Sequence, residues 1–352
     1  MSTYLRYLLL PFSLLYGLVI VIRNSLFDAG VLKSVSFDLP IICIGNLVVG
    51  GSGKTPVTEY IVCLLKGKRI AILSRGYGRD TKGFLIADAT STANSIGDEP
   101  LQYFNKFEDV TVAVCEDRTE GIERLQKDHD VILLDDAFQH RKVRAGLNIL
   151  LFDYAKFSTP QFLLPAGNLR EPFRGFRRSD MVLITKSPQC VNKEAQKKIR
   201  NQFRSEAHVP ILFSYLDYLD IKPVYSSQLT TPMLNHDVNL HLLTGIANPN
   251  PLVNYLEQRS RKVVHYEFPD HHQFSLKNIS SLVDAFNLDP AVNKIIVTTE
   301  KDAQRLLDAS LKELLLELPI FYLPIHVMIN ESDKPTFDQK ILKYVSSTTR
   351  NR

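Results

Sequence analysis

A glycine-rich stretch, GGSGKT, places backbone-flexible residues beside a lysine and a threonine. It follows the apolar run IICIG and precedes TPVTEYIVCLLK, whose apolar residues recur at helical spacing, so it joins a strand to a helix. In such a turn the backbone N–H groups and the lysine bind phosphate oxygens, and the threonine hydroxyl is a ligand for phosphate-bound Mg²⁺. The predicted nucleotide-binding residues are Gly50, Gly51, Ser52, Gly53, Lys54 and Thr55, and Thr55 is also a predicted metal ligand.

One position departs from the strict phosphate-loop pattern. The pattern G-x-x-x-x-G-K-[ST], counted back from Gly53, requires glycine at position 48, where this chain has Val48. The converging N–H groups belong to later residues, so the exchange changes how the chain approaches the loop and leaves its phosphate-binding part intact.

An acidic pair ends another apolar run, in VILLDDAFQH. Proteins that transfer phosphate hold Mg²⁺ with a carboxylate at the end of a neighbouring strand. We therefore predict that Asp135 and Asp136 face the metal and the phosphates. A solvated acidic turn is the alternative for this pair alone, and the presence of Lys54 and Thr55 disfavours it.

These side chains need a sheet that brings strand ends together. Ligands of open α/β sheets bind beyond the carboxyl ends of the strands. Apolar, β-branched runs alternate here with helical stretches, which predicts an α/β fold: a P-loop NTPase-type, mostly parallel sheet with flanking helices. The predicted strands are residues 39–45, 69–75, 110–115, 130–136, 147–153 and 180–186.

The rest of the chain predicts a second, smaller α/β domain, because strand-like and helix-like stretches alternate again after an extended segment. The predicted division is an N-terminal membrane-associated helix (1–35), a phosphate-loop domain (36–208), an extended linker (209–226) and a smaller C-terminal α/β domain with a terminal segment (227–352).

Near the N-terminus, sixteen residues without a charge, Tyr7 to Ile22, lie between Arg6 and Arg23. As a helix this run would extend about 24 Å, short of the roughly 30 Å hydrocarbon core of a bilayer. It is not followed by an A-x-A-like cleavage site. We favour a membrane-embedded or interfacial anchor, with a helix that covers the first domain as the alternative.

Composition narrows the class of protein. The 352 residues are 45% hydrophobic and 23% charged, as in an ordinary globular chain, and a net charge of +4 gives no global field for nucleic acid. The four cysteines form no C-x-x-C pair, which argues against a zinc site and a disulfide framework.

Several motifs together resemble the tetraacyldisaccharide 4'-kinase family. They are GNLVVGGSGKTP, ILSRGYGR, GDEP, LLDDAFQHR, LPAGNLREP, FPDHHQF and VTTEKDAQRL, which occur in the family's order from Gly45 to Leu306. Val48 also fits, since the family's loop reads G-N-x-x-x-G-G-x-G-K-T.

The resemblance implies an ATP- and Mg²⁺-dependent kinase of lipid A biosynthesis. Its acceptor would be the 4'-hydroxyl of an acylated disaccharide 1-phosphate lipid, and its product the 1,4'-bisphosphate, lipid IVA. The implied location is the cytoplasmic face of the inner membrane. We expect a monomer that contacts the membrane surface and binds no nucleic acid.

By the same resemblance, Asp98 is the catalytic base and His271 is its partner. Read alone, Asp98 is also a good helix N-cap, because Glu99 and Pro100 follow it. His271 is chosen over His272 because the family's histidine directly follows the aspartate, here Asp270, which we expect to fix the tautomer. Glu99 is expected to support the metal shell.

Further residues are expected to contact the substrate or the transferred phosphate: Tyr77, Arg118, Gln139, His140 and Arg170. Seven cations lie among aromatic residues and leucines, which suits a surface that meets acyl chains and anionic head groups; they are Arg141, Lys142, Arg144, Arg170, Arg174, Arg177 and Arg178. Glu300 and Lys301 are expected near the cleft, or else at an exposed helix start.

The main alternative is a membrane-associated P-loop ATPase that acts as a positional switch. Its deviant loop carries a lysine directly before the paired glycines, where this chain has Val49. A scaffold that only binds nucleotide is a third possibility, and the carboxylates Asp98, Asp135 and Asp136 argue against it.

Overall fold

The computed structural model describes residues 8–159, 161–203, 209–225 and 232–349. Its helices, in chain order, are α1 (Leu10–Asp28), α2 (Lys54–Leu64), α3 (Ala93–Ile96), α4 (Asp98–Lys106), α5 (Arg118–Leu125), α6 (Lys193–Gln202), α7 (Asn250–Glu257), α8 (Leu276–Leu288), α9 (Glu300–Leu306), α10 (Ala309–Leu315) and α11 (Lys334–Thr349). Short 3₁₀ turns cover Tyr154–Ser158 and Phe173–Arg178.

Two sheets organise the chain. Their strands are β1 (Ile41–Asn46), β2 (Ile70–Ser74), β3 (Leu85–Ile86), β4 (Val110–Val114), β5 (Val131–Asp135), β6 (Leu147–Asp153), β7 (Met181–Thr185), β8 (Ile211–Tyr218), β9 (Lys222–Pro223), β10 (Asn239–Thr244), β11 (Lys262–Glu267), β12 (Lys294–Thr299), β13 (Ile320–Leu323) and β14 (Ile325–Ile329). The larger sheet has the order β14-β8-β7-β6-β1-β5-β2-β4-β3 and the smaller one β11-β10-β12-β13-β9. The larger sheet is parallel except at its edges, where β14 and β3 run antiparallel to their neighbours. The predicted α/β class, the mostly parallel sheet and the smaller α/β unit are confirmed.

Residues of the central strands alternate between two apolar clusters on opposite faces of the larger sheet. Ile42 and Ile44 belong to one cluster, whereas Ile41 and Cys43 belong to the other. This alternation follows from the two-residue side-chain period of a strand, and both faces are covered as a parallel sheet requires. Strands β1 and β5 are parallel neighbours, so their carboxyl ends lie side by side. This places the phosphate loop, which follows β1, beside the acidic pair, which lies at the end of β5.

The membership of the two sheets differs from the predicted domain division. Strand β8 falls in the predicted linker, yet it pairs with β7 in the larger sheet. Strand β14 falls in the predicted C-terminal domain, yet it pairs antiparallel with β8. Helix α11 joins the same core, because Phe337, Ile341 and Val345 pack in the cluster that covers one face of the larger sheet. These strand pairings could not be predicted from the sequence, because they join residues far apart in the chain and a local pattern does not encode such contacts.

The N-terminal helix α1 starts later and ends later than the predicted apolar run, whose Tyr7 lies outside the described residues. By length and composition it is the one helix of the described residues that could cross a membrane, with mean hydropathy 1.6. One side contacts the protein: Ser13 Oγ donates to the Leu163 carbonyl at 3.0 Å. A Cβ atom on Gly17 would lie 2.6 Å from Leu163 Cδ1, so a larger residue there would force the Leu163 side chain to shift. The rest of its apolar surface is exposed, including Phe12, Leu14, Leu15, Leu18, Val19, Val21 and Ile22.

A buried ionic cluster joins the helices of the two sheets. Lys106, at the end of α4, lies 2.8 Å from Glu59 Oε2 on α2 and 3.0 Å from Glu300 Oε1 on α9. Gln102 donates to the other oxygen of Glu59 at 2.8 Å. Burial raises the pKa of Glu59 to about 7, although Lys106 acts against this rise. Since the two carboxylates would repel each other without the cation, Lys106 stabilises the contact between α2, α4 and α9.

Replacing Lys106 with methionine should lower the free energy of unfolding by about 3 kcal/mol, because it leaves two buried carboxylates without a cation. The pKa of Glu59 is raised by folding, so its protonation favours the folded state as the pH falls from about 7 towards its ordinary value of 4.5. The loss in Lys106→Met should therefore be larger at pH 8 than at pH 6. Urea denaturation at both pH values measures it.

The control for this prediction is Lys312→Met, which changes an exposed lysine on α10. We expect it to unfold like the unmodified protein at both pH values. Equal stability of Lys106→Met and Lys312→Met would contradict the proposed role of the cluster.

Candidate active site

The phosphate loop joins β1 to α2 and is shaped by two glycines with positive φ. Gly50 has φ 105° and Gly53, the N-cap of α2, has φ 79°, values that side-chain-bearing residues rarely adopt. Asn46 Nδ2 donates to Ser52 Oγ at 2.8 Å, which fixes the loop from inside. The first N–H groups of α2 have no partner within the helix and are available to an anion.

Two residues that sequence reasoning missed hold the loop from the end of β7. Thr185 Oγ1 donates to the Ser52 carbonyl at 2.7 Å, and Lys186 Nζ donates to the Gly51 carbonyl at 2.5 Å. Lys186 also lies 3.2 Å from Asp153 Oδ2 at the end of β6. Lys186 could have been predicted from the sequence, because it ends a predicted strand and ligands of such sheets bind at the strand ends.

Val48 occupies the position of the missing glycine and packs against a second loop. Its side chain is buried, and it forms an isolated antiparallel bridge with Leu169. The Val49 N–H donates to the Asn168 carbonyl at 2.8 Å, and the Arg170 N–H donates to the Leu47 carbonyl at 2.7 Å. The approach to the phosphate loop is thus extended backbone paired with the segment that carries Arg170, where valine fits well.

Asp136 forms ion pairs with two cations of the site. Its carboxylate accepts from Arg170 Nη1 at 2.9 and 3.0 Å, and Lys54 Nζ lies 3.7 Å from Oδ1. Burial acts to raise the pKa of Asp136, but Lys54 and Arg170 outweigh it and hold the pKa below its ordinary value. Asp136 also has φ 52°, which turns its side chain out of the strand direction.

Asp135 is buried and only partly satisfied. Tyr103 donates to its Oδ2 at 3.3 Å, whereas its Oδ1 is buried and has no hydrogen-bond partner among the described residues. Burial raises the pKa of Asp135 to about 7, with Lys54 acting against the rise and Asp136 and Glu99 adding to it. A buried carboxylate oxygen without a partner is costly, and a divalent cation would satisfy it.

The oxygen donors present fit Mg²⁺, which prefers carboxylates, hydroxyls and phosphates and keeps several waters. Asp135, Asp136 and the Thr55 hydroxyl supply such donors beside the loop. Within the part of the chain that the structure describes, three or more His, Cys, Asp or Glu side chains do not gather into a metal cage. This suits an ion that takes some ligands from bound phosphates.

Asp98 starts helix α4, but it is not the N-cap. Gly97 holds that position with φ 96°, and no side-chain cap bond is made. The Asp98 carboxylate instead faces the smaller sheet: Arg305 Nε donates to Oδ1 at 3.1 Å, Arg305 Nη2 donates to Oδ2 at 2.5 Å, and His271 Nδ1 lies 2.9 Å from Oδ2. Burial acts to raise the pKa of Asp98, but the bonds from His271 and Arg305 hold it well below its ordinary range.

The partners of His271 define its tautomer. Lys301 Nζ lies 3.0 Å from His271 Nε2, and an ammonium group only donates, so Nε2 is the acceptor. Nδ1 then carries the proton and donates it to Asp98. Asp270 was expected to fix the tautomer, but its carboxylate is 3.9 Å from Nε2, beyond hydrogen-bond distance, because Lys301 occupies that side of the ring. Lys301 also pairs with Glu99 Oε1 at 2.9 Å.

The second histidine of FPDHHQF has a different environment. The ring of His272 stacks on Phe268 with centroids 4.6 Å apart, and its Nε2 lies 3.1 Å from Asn278 Oδ1. It therefore belongs to the packing of the smaller sheet, while His271 faces Asp98.

The expected substrate contacts differ in their exposure and in their partners. Tyr77 is 70% exposed, and its ring lies 5.5 Å from that of His271. Arg118 is buried, with Nη1 bonded to the carbonyls of Cys115 and Glu116. Gln139 Nε2 donates to the Asn46 carbonyl at 2.8 Å.

His140 is half-buried, and this burial together with the nearby charge of Arg118 lowers its pKa to about 4. It is therefore neutral at pH 7, and it can donate one hydrogen bond but does not bring a positive charge.

Helix α1 is bonded to the same segments. Tyr16 donates to the Arg170 carbonyl at 2.7 Å, and Arg23 donates to the Gln139 carbonyl at 3.1 Å. Asn24 donates to Glu171 at 3.3 Å, and Glu171 also accepts from Arg178 and Gln139. The apolar helix is therefore bonded to the segments that carry Gln139, Arg170 and Glu171.

Comparisons with known proteins agree with this geometry. A family model described as tetraacyldisaccharide-1-P 4'-kinase matches residues 5–346. Tetraacyldisaccharide 4'-kinases of Bacteroides fragilis and Flavobacterium johnsoniae are each 44% identical to this chain, with 97% of this chain covered and 94% and 97% of theirs. A crystal structure of LpxK from Aquifex aeolicus in complex with ATP is 29% identical, with TM-score 0.72, and the match covers 97% of this chain and 99% of that one.

Proposed function

Because this chain belongs to the tetraacyldisaccharide 4'-kinase family, we propose that the cleft around Lys54, Asp98 and His271 carries out its phosphate transfer. The chain functions as an ATP-dependent kinase of lipid A synthesis, and the switch ATPase is not favoured. ATP donates the phosphate to the 4'-hydroxyl of a tetraacyldisaccharide 1-phosphate, which becomes the 1,4'-bisphosphate. The assignment of roles to individual residues is our proposal.

The phosphate loop binds the donor. The N–H groups from Gly50 to Thr55 surround the β- and γ-phosphates, and Lys54 moves from Asp136 to the phosphate oxygens. Mg²⁺, held by Thr55, Asp135 and Asp136 with Glu99 close to its shell, would neutralise part of the charge that these oxygens carry. The unpartnered, buried oxygen of Asp135 supports this assignment.

Asp98 takes the proton of the sugar hydroxyl, and one observation carries this role. Each carboxylate oxygen can accept two hydrogen bonds. Among the described residues, Oδ2 accepts from Arg305 and His271, while Oδ1 accepts only from Arg305. Oδ1 therefore keeps a lone pair for the 4'-hydroxyl. His271 holds Oδ2 and is itself held by Lys301, so it orients the base.

The neighbouring cations bind the transferred group. Arg170 and Arg118 lie near the acidic pair, and their charges suit the equatorial oxygens of the moving phosphoryl group. Gln139 and the neutral His140 add hydrogen bonds from the same turn after β5. The exposed ring of Tyr77 stands beside His271, where a sugar would lie.

A transfer assay separates the kinase from its alternative. The protein in detergent micelles receives γ-labelled ATP with the disaccharide 1-phosphate lipid, with glucosamine, or with buffer alone. Label is expected in the lipid. Label released only as inorganic phosphate would refute the lipid kinase and favour the switch ATPase.

We further propose that α1 inserts its exposed apolar side into the cytoplasmic face of the inner membrane, where ATP and the lipid acceptor meet. The exposed apolar side chains between Phe12 and Ile22 supply the surface that would enter the bilayer. The bonds of Tyr16 and Arg23 to the cleft would keep the acceptor site at the membrane surface. The protein acts as a monomer in this proposal.

Replacing Leu14 and Leu18 together with glutamate should weaken binding to phospholipid vesicles by about 100-fold, since burying a leucine side chain is worth at least roughly 1.5 kcal/mol. Both side chains are largely exposed in the structure, so the fold should be unaffected. Vesicle co-sedimentation measures the change. Leu276→Glu with Leu288→Glu is the matched control, because these leucines are exposed on the smaller unit. Equal binding by both double variants would contradict insertion of α1.

A further inference from the structure

Arg305, on helix α9, is the side chain that spans from the smaller sheet to Asp98. Its side chain is 5% exposed, and all three guanidinium nitrogens are bonded. Nε and Nη2 donate to the two oxygens of Asp98 at 3.1 and 2.5 Å. Nη1 donates to Asp302 Oδ1 at 2.6 Å and to the Gly245 carbonyl at 3.2 Å. The guanidinium therefore binds the Asp98 carboxylate through Nε and Nη2, and it binds Asp302 and the end of β10 through Nη1.

The residues behind Arg305 are themselves fixed. The side chain of Asp302 is fully buried, and its Oδ2 accepts from the Gly245 N–H at 2.9 Å and from Thr299 Oγ1 at 2.7 Å. A Cβ atom on Gly245 would lie 3.1 Å from Asp302 Oδ1 and 3.2 Å from Arg305 Nη1, so little space is left for movement. The Gly245 carbonyl and the Asp302 carboxylate, both in the smaller unit, consequently hold Arg305 in one orientation.

An aspartate carboxylate that is held at one oxygen can still turn, because rotation about its last side-chain bond is only weakly restricted. His271 contacts Oδ2 alone and cannot fix the plane of the group. Two parallel bonds from a planar guanidinium do fix it, and a lysine ammonium could not, since it is a single point charge.

We propose that Arg305 is a positioning residue for phosphate transfer, which fixes the plane of the Asp98 carboxylate so that the open lone pair of Oδ1 faces the sugar hydroxyl. This inference rests on the proposed role of Asp98 as base. It follows that the base is oriented only while α9 is docked against α4. Phosphate binding by the loop does not depend on Arg305.

Four variants test this proposal in the transfer assay: Arg305→Ala, Arg305→Lys, Asp98→Ala, and the double variant Asp98→Ala with Arg305→Ala. Arg305→Ala should lower kcat by about 100-fold, the cost expected of a small misplacement of a catalytic group. The KM for ATP should change little. Methylguanidinium added to Arg305→Ala should restore part of kcat, whereas Arg305→Lys should stay impaired. The double variant should be no slower than Asp98→Ala, because Arg305 acts only through Asp98.

The matched control is Arg259→Ala, which removes an arginine that lies over Tyr255 on the smaller unit. It should be fully active and unaffected by methylguanidinium. The proposal is overturned if Arg305→Ala keeps its kcat while Asp98→Ala is inactive. It is equally overturned if Arg305→Lys is as active as the unmodified protein, because charge alone would then suffice. An active Asp98→Ala would instead refute the role of Asp98 as base, so the two failures are distinguishable.

Discussion

Replacing Asp98 with alanine should lower phosphate transfer to the lipid by about 1,000-fold while ATP still binds, since general base catalysis contributes roughly 10²- to 10⁴-fold. Among the described residues, the Asp98 carboxylate accepts hydrogen bonds from His271 and Arg305, whereas Lys54 pairs with Asp136, so we expect the phosphate-binding residues to stay in place. His271 cannot replace the base, because its Nδ1 carries the proton and its Nε2 accepts from Lys301. Labelled lipid measures turnover, and nucleotide affinity is measured separately.

The control for this variant is Asp109→Ala, which removes an exposed carboxylate shortly after α4. It should transfer phosphate at the normal rate. Turnover of Asp98→Ala equal to that of Asp109→Ala would remove Asp98 from the chemistry.

Replacing Lys54 with methionine should cut kcat by about 10²- to 10³-fold, the usual cost of one donor that stabilises developing charge, and should also weaken ATP binding. Methionine keeps the unbranched stem and removes only the ammonium, so the start of α2 is preserved. Lys54 also faces Asp136, which would then retain Arg170 as its cation. Turnover and the KM for ATP are both measured, since we expect the lysine to contact the phosphates in bound ATP and in the transition state.

Lys66→Met is the matched control, because Lys66 is exposed just beyond the end of α2. It should be indistinguishable from the unmodified protein. Normal kinetics in Lys54→Met would mean that GGSGKT does not bind the phosphates.

The local part of the site could be predicted from the sequence. The phosphate loop and Asp135 with Asp136 each follow an apolar run, and neighbouring parallel strands bring such ends together. Lys186 follows the same rule and could have been predicted from the end of its strand.

The long-range part could not be predicted in this way. Arg305 meets Asp98 across more than two hundred positions, and Lys106 meets Glu300 across almost as many. Arg305 and Lys106 belong to helices whose charged residues could equally well face solvent. Only the docking of α9 on α4 turns these charges inward, and no spacing rule encodes that contact. The same reason explains why the residues of β14 were assigned to the predicted C-terminal domain, although the strand pairs with β8.

The return of β14 to the larger sheet has a consequence for how this protein is built. Strands β8 and β14 pair antiparallel, with Tyr218 beside Ile325, so they form a hairpin whose loop is the whole smaller unit. The cost of closing a loop grows only with the logarithm of its length, so a hairpin can accommodate so large an insertion. The host sheet contributes Lys54, Asp136 and Asp98, while the insertion contributes His271 and Arg305. In the proposed mechanism, a host without its insertion would keep the loop that binds nucleotide but would lack the residues that orient Asp98. The junction between the two units would then complete the reaction site.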